Sequence, residues 1–327
     1  MRRSTRPLLA AILALLLFVL GACGGDGDDG AAEGGSGTEA TSEDAGGAGD
    51  DDAGRGVEVL DEGKEPRREL RFAFTEGQEF RTRMTMTLGM EMSIDGQALP
   101  TPPNPPMEIV MAGKVDAVKG DVATYSFTYE RVGLVRTEGV DPAMAAQIEA
   151  GLQQMQGLRG TGTVDVHGNA GEGTLDTSSV ADPTLKTTLD SITSQISNLA
   201  VPLPTKAVGV GARWKADRRA VLNGITTDTA MTYTLRSLDG DRYVLDVVQA
   251  VTAPAGAVDI PGLGAGKAEI VSYDAENQGE VVGDLAKVLP TSSDIAGGGD
   301  IVMKVDDGTQ TVEVVQKLKL QITIAPA

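Results

Sequence analysis

The feature that most limits what this chain can fold into is an apolar residue at every second position over long stretches. In FRTRMTMTLGMEMSID, Phe80, Met84, Met86, Leu88, Met90, Met92 and Ile94 share one parity, while Arg81, Arg83, Thr85, Thr87, Glu91 and Ser93 share the other. Successive side chains on a strand point to opposite faces, so this pattern predicts a strand with one apolar and one polar face. At about 3.3 Å per residue, about fifteen such residues reach roughly 50 Å, comparable with a whole domain, so the strand spans, curls or breaks. Gly89 is the expected bending point.

Further alternating stretches follow: MEIVMAGKVDAV after the stiff PTPPNPP loop, ATYSFTYERVGLVRT, GTGTVDVHG, DTAMTYTLRSL, RYVLDVVQAV, KAEIVSYDA, DIVMKVDD and QTVEVVQKLKLQITI. KGD, DGD, HGN and DDG separate them with the Gly, Asn and Asp that hairpin turns require, which implies antiparallel sheet. Helical spacing appears in DPAMAAQIEAGLQQMQG (141–157) and DPTLKTTLDSITSQISNLA (182–200), each opening on an Asp-Pro N-terminus, and in the short DLAKVL (284–289). The two halves also echo one another. Gly77 and Phe80 of EGQEFRTR answer Gly211 and Trp214 of VGARWKAD, and both are followed by strand, Gly-Asp turn and strand. The expected fold class is mainly β (α+β), with curved antiparallel sheets, a duplicated β unit and a covering helix on each. The expected lobes are 66–204, carrying helices near 141–157 and 182–200, and 205–327.

The N-terminus sets the compartment. Arg2, Arg3 and Arg6 precede an apolar run from Leu8 to Leu20, followed by Gly21, Ala22 and Cys23. That run is shorter than the roughly 20 residues of a spanning helix and reads as an export signal over 1–22. Leu20-Gly21-Ala22-Cys23 resembles the lipobox of bacterial lipoproteins, which implies cleavage before Cys23, a diacylglycerol on its thiol and an acylated amino group. Several acyl chains anchor stably where one is marginal. Cys23 is the chain's single cysteine, so neither disulfides nor thiolate ligands are expected. From 23 to 65 the composition is mostly Gly, Ala, Ser, Thr, Asp and Glu, too poor in apolar residues to offset ordering, and it reads as a disordered acidic tether.

The formal net charge of −19 argues against nucleic acid, whose phosphates need clustered Lys and Arg. Catalytic patterns are absent. His167, the single histidine, lies in the VHGNAG turn, no GxSxG element occurs, and GLGAGKA (262–268) has Pro261 and Ala268 where a phosphate loop needs Gly and Ser or Thr. GVGARW lacks the third glycine of a dinucleotide loop, and DGDDG lacks the ligand alternation of a calcium loop. No cofactor or metal site is expected.

The methionines remain. Met84, Met86, Met90 and Met92 share one face, with Met107, Met111, Met144 and Met155 on elements able to pack nearby. Thioethers adapt to irregular apolar shapes, so this face reads either as core filling or as a binding surface for a lipid or other apolar ligand.

With its lipobox, acidic tether and a β-rich domain containing a VGxxW-like element, here GVGARW, the chain resembles uncharacterised bacterial surface lipoproteins. The tether and long curved strands are also similar to lipid-carrier lipoproteins built as a helix-covered half-barrel. Neither likeness carries a site motif, so no ligand residue transfers. The expectation is a non-enzymatic lipoprotein on the extracytoplasmic face of the cell membrane, anchored through Cys23 and binding an apolar ligand or an envelope partner. A structural scaffold with a dry core and a hydrolase using acidic residues are the alternatives. Replacing Cys23 with Ser is expected to move the protein from the membrane to the soluble fraction in a bacterial host and to remove the acyl mass from its N-terminal peptide, as read by fractionation and mass spectrometry.

Overall fold

The computed structural model describes residues 57–327 except 102, 138, 179–199, 223–224, 259–265, 307 and 309. Among the described residues the chain is mainly β. Its strands are β1 (Val57–Asp61), β2 (Glu79–Ile94), β3 (Gln97–Leu99), β4 (Met107–Lys119), β5 (Val122–Leu134), β6 (Arg159–Asp165), β7 (Ala170–Leu175), β8 (Arg213–Leu222), β9 (Ile225–Asp239), β10 (Arg242–Ala253), β11 (Gly256–Val258), β12 (Lys267–Asp284), β13 (Ser292–Asp306) and β14 (Thr311–Pro326), with one helix, α1 (Pro142–Gln153). All form one open antiparallel sheet in the order β1-β8-β9-β10-β12-β13-β14-β2-β4-β5-β6-β7, with β11 beside β12 and β3 beside β2.

Alternation explains the pairing. Once one face of an antiparallel strand is buried, a slip of one residue would expose its whole apolar set, so the register is held. The turns do the rest. Gly120-Asp121 and Gly240-Asp241 close the β4–β5 and β9–β10 hairpins, with φ of +59° at Gly120 and +58° at Gly240. These angles are easy only for glycine. β2 runs through Gly89 without a break.

Three apolar clusters line the inner face. The first gathers Trp214, Tyr233, Leu235, Tyr243, Leu245 and Val281 from β8, β9, β10 and β12. The second gathers Ile109, Met111, Tyr125, Phe127, Tyr129 and Val164 from β4, β5 and β6. The third, at the far end of the long central strands, holds Met92, Ile270, Ile301, Met303 and Val314. Trp214 is 0% exposed; its indole N–H donates to Pro202 O at 2.8 Å and its ring stacks on Tyr233.

The sheet's two flanks meet. Phe74 packs against both the first and the second cluster. Three connections cross between the flanks and bond to both. In residues 66–75, Phe72 N–H donates to Val166 O and Ala73 N–H to Leu285 O. In residues 200–208, Leu203 N–H donates to His167 O. In 285–291, Leu285 belongs to the first cluster, while Val288 and Leu289 belong to the second.

Several expectations are corrected. Among the described residues two lobes with their own covering helices are not found; one sheet runs through both halves, because β12, β13, β14 and β2 join them edge to edge. α1 is capped as expected, with the Asp141 carboxylate accepting from Ala143 and Met144 N–H, yet it has no buried residue. Its apolar load passes to Met155 and Leu158 in the turn that follows, 5% and 4% exposed. No helix forms at 284–289: β12 extends to Asp284, whose side chain accepts from Ala286 N–H, and a turn follows, six residues being too few to repay helix nucleation. The stretch 182–200 lies outside the described residues apart from Ala200. Val57–Asp61, inside the expected tether, pairs with β8.

Burial pushes the phenols of Tyr125, Tyr129, Tyr233, Tyr243 and Tyr273 above their ordinary value, and these are all five tyrosines of the chain. The folded state therefore holds their protons more tightly than the unfolded chain, which releases them near pH ~10. Stability from this source is complete below that pH and falls as pH rises above it. Spectrophotometric titration is expected to show little phenolate in the native protein around pH ~10, with the signal arriving in one step together with unfolding.

Candidate functional site

The outer face of the sheet is occupied by ion pairs, which leaves the inner face for a site. Outward residues pair as Arg81 with Glu130 at 2.7 Å, Arg131 with Glu108 at 2.6 Å, Arg219 with Asp228 at 2.7 Å, Lys319 with Glu91 at 2.9 Å, and Arg236 with Asp246. Hydrogen bonds from Lys319 and Arg219 hold the Glu91 and Asp228 carboxyls below their ordinary values. Asp176 is lowered by its hydrogen bonds with Ser178. All three are exposed groups, where solvent screens such interactions.

Met84 packs in the second cluster and Met92 in the third. The same-parity residues between them on β2 share their face. Register then sets a ladder of cross-strand apolar pairs along β2 and β14: Met84 with Ile324, Met86 with Ile322, Leu88 with Leu320, and Met90 with Leu318. These eight side chains are half-buried, a stripe between two dry cores. Met92 is 3% exposed and serves as core.

Beyond β14 the stripe meets β13, where Gly297 and Gly299 stand opposite Leu320 and Leu318. A Cβ at Gly297 would lie 2.1 Å from Glu276 O, and one at Gly299 2.2 Å from Asp274 O. These two positions of the inner face therefore carry no side chain of their own. Asn277, 5% exposed, faces Gly297 and donates through Nδ2 to Gln249 Oε1 at 3.0 Å; its Oδ1 has no hydrogen-bond partner.

At the opposite end of the stripe lies a cavity of ≈ 20 Å³ lined by Thr82, Met84, Met111, Tyr129, Leu289 and Ile324 among others. Tyr129 is 1% exposed and its hydroxyl has no hydrogen-bond partner. Thr82 Oγ1 donates to Ala325 O at 3.4 Å. A second, open depression of ≈ 540 Å³ lies on the β5–β7 margin by Phe127, Gly160, Thr174 and Leu175.

Of the residues singled out from sequence, Met84, Met86 and Met90 stand together on the stripe, Met84 also at the cavity, and Met92 is separated from them into the third core. Met111 and Met155 enter the second core, with Met107 packed beside it. Cys23 lies outside the described residues. His167 stays in its turn: its N–H and that of Asn169 donate to the Asp165 carboxylate, Nε2 is 3.8 Å from Glu69, and Nδ1 has no partner. Among the described residues no group of three or more His, Cys, Asp or Glu is placed to hold a metal ion, and no helix is long and apolar enough to cross a membrane. Sequence reasoning missed Tyr129. Its one signal was a hydroxyl on the inward parity of YSFTY, among residues otherwise destined for the core.

No protein-family model matches the chain, and no curated protein matches it.

Truncation separates core from stripe. Met92→Ala is expected to cost about 2–5 kcal/mol in urea unfolding, whereas Met86→Ala and Met90→Ala, half-exposed, are each expected to cost under about 1.5 kcal/mol.

Proposed function

We propose that the chain is an exported, non-enzymatic lipoprotein, held at the extracytoplasmic face of the cell membrane by acyl chains on Cys23, and that it binds an apolar ligand on the inner face of its sheet. The observation that carries this reading is the half-buried Met84–Met90 and Leu318–Ile324 ladder. Partly exposed apolar residues are common singly on soluble folds, but eight contiguous ones on one face are a feature of binding surfaces. Thioether and branched aliphatic side chains suit hydrocarbon of variable shape. Flanking cores supply the rigidity that lets the stripe stay open.

A dry scaffold is the second reading. It is supported by the filled clusters on both sides and by a cavity with room for about one water molecule and no more.

We also infer that the two four-strand stretches β2-β4-β5-β6 and β8-β9-β10-β12 are one unit used twice. Matching details support this. Gly77 N–H donates to Val115 O and Val115 N–H to Gln78 O, while Gly211 N–H donates to Leu235 O and Leu235 N–H to Ala212 O. A bulge places Asp116 between paired residues of β4 in one stretch and Arg236 between those of β9 in the other. Asp121 O accepts from Val166 N–H, and Asp241 O from Leu285 N–H. Duplication would put two equivalent hairpins, β9–β10 and β4–β5, on the two flanks of the sheet.

The ligand reading is tested on the full-length protein extracted from the membranes of a bacterial host. Native mass spectrometry is expected to show a discrete lipid mass beyond the covalent anchor, kept by Met86→Leu and Met90→Leu and lost in Met86→Asp and Met90→Asp. A mass equal to that of the anchored chain alone, with no saturable uptake of a hydrophobic fluorophore, would favour the scaffold.

A further inference from the structure

Register lines up a second set of inward residues, across the strands rather than along them, and the ligand class they fit rests on the apolar-ligand reading above. Arg218 of β8 stands opposite Thr229 of β9, which stands opposite Val251 of β10. Val251 pairs with Ala275 of β12, Ala275 with Gly299 of β13, and Gly299 with Leu318 of β14, whose partner on the ladder is Met90. Each residue of this line is half-buried, so each keeps part of its surface open to solvent.

The chemistry changes from one end of the line to the other. Arg218 shares its parity on β8 with Trp214 and Ala216, both buried, and therefore faces inward. Burial raises the Tyr233 phenol, and the positive charge of Arg218 works against that rise, which places the guanidinium close to the first core. Among the described residues, the inward positions of β9, β10, β12, β13, β14 and β2 between the first and third cores carry no charge. Arg218 has an interaction of its own within the protein, and the five N–H donors of a guanidinium leave capacity for an anion beside it. Thr229, directly across the strand pair, adds a hydroxyl within side-chain reach. Beyond it the floor is Val, Ala and Gly, and then the Leu and Met of the ladder. Neighbouring strands lie about 4.8 Å apart, so the five steps from β8 to β14 cover roughly 24 Å. A cation at one end and an open apolar path leading away from it describe one ligand class.

We propose that Arg218 and Thr229 hold the anionic head, a carboxylate or a phosphate monoester, of a single-chain lipid whose hydrocarbon crosses Val251, Ala275 and Gly299 to reach Leu318 and Met90. The protein carries a net charge of −19 and repels anions over most of its surface, so an inward arginine on an uncharged face is where one is admitted. Guanidinium geometry suits carboxylate and phosphate alike. No bond is made or broken, and the site is one of recognition.

The test uses the full-length protein and three probes of one chain length with the same terminal fluorophore: a long-chain fatty acid, its methyl ester and an alkyl phosphate. The wild-type protein is expected to bind the acid and the phosphate more tightly than the ester; a lead of acid over phosphate assigns the head to a fatty acid, and the reverse to a phospholipid. Arg218→Gln is expected to weaken binding of both anions about tenfold, the worth of a charge-assisted hydrogen bond, and to leave the ester unchanged, while Arg218→Lys keeps part of the preference. Ala275→Leu, in the middle of the path, is expected to weaken all three. Equal wild-type affinity for acid and ester, an equal loss of both in Arg218→Gln, or undiminished binding in Ala275→Leu would overturn this proposal while leaving the apolar-ligand reading intact. Failure of the wild-type protein to bind any of the three would overturn both.

Discussion

The rest of the molecule depends on how closely β12 and β13 approach. Gly279, Gly297 and Gly299 face the inside of the sheet where a Cβ would sit within 2.0–2.2 Å of a neighbouring carbonyl oxygen. Each glycine in a strand interior sacrifices packing and backbone entropy, on the order of 1 kcal/mol relative to alanine. The return is a central sheet with no side chain at these three inward positions, so that the β8–β10 flank and the β4–β6 flank come together on Phe74. A flat sheet of this width would leave both apolar faces wet.

That bend also explains why the connections behave as they do. Residues 66–75, 200–208 and 285–291 supply Leu70, Phe72, Val201, Leu203, Leu285 and Val288 to the cores and satisfy their backbone groups on the hairpin ends. Buried irregular chain must find partners for its amides, and the turns at Asp121, Val166 and Asp241 provide them. Arg68 and Arg71 tie the same crossing to those turns, Arg68 through Gly240 O and Asp241 and Arg71 through Asp121. The ends of the hairpins are thus gathered at one rim, while the long strands run on to the third core.

Between the rim and the third core, the inner face is only partly covered, and this is where the function is proposed. The division of labour along β2 is instructive. Phe80, Thr82 and Met84 serve the second core, Met92 and Ile94 the third, and Met86, Leu88 and Met90 neither. One strand with one uniform alternation therefore serves two cores and leaves a half-buried stripe between them.

The strands, their antiparallel sense and their tight turns were legible from the period of the side chains and from Gly-Asp and His-Gly-Asn, because both signals are local: alternation sets the face and glycine sets the turn. Asp95-Gly96, which closes β2 onto β3 with positive φ at both residues, was not among the turns singled out. The first turn of α1 was legible, since Asp141 and Pro142 act within three residues. What the sequence by itself determined is thus a set of two-faced strands and the residues on each face. Which apolar residues end as core and which as an open stripe was decided by the tertiary structure. Met86 and Met92 are alike in type, parity and strand, and only the curvature of the sheet and the packing of distant segments bury one and leave the other half open. The same holds for 284–289, where helical spacing yielded to a strand and a turn because Asp284 pairs with Arg242 across the sheet and Leu285 and Val288 are drawn into different cores.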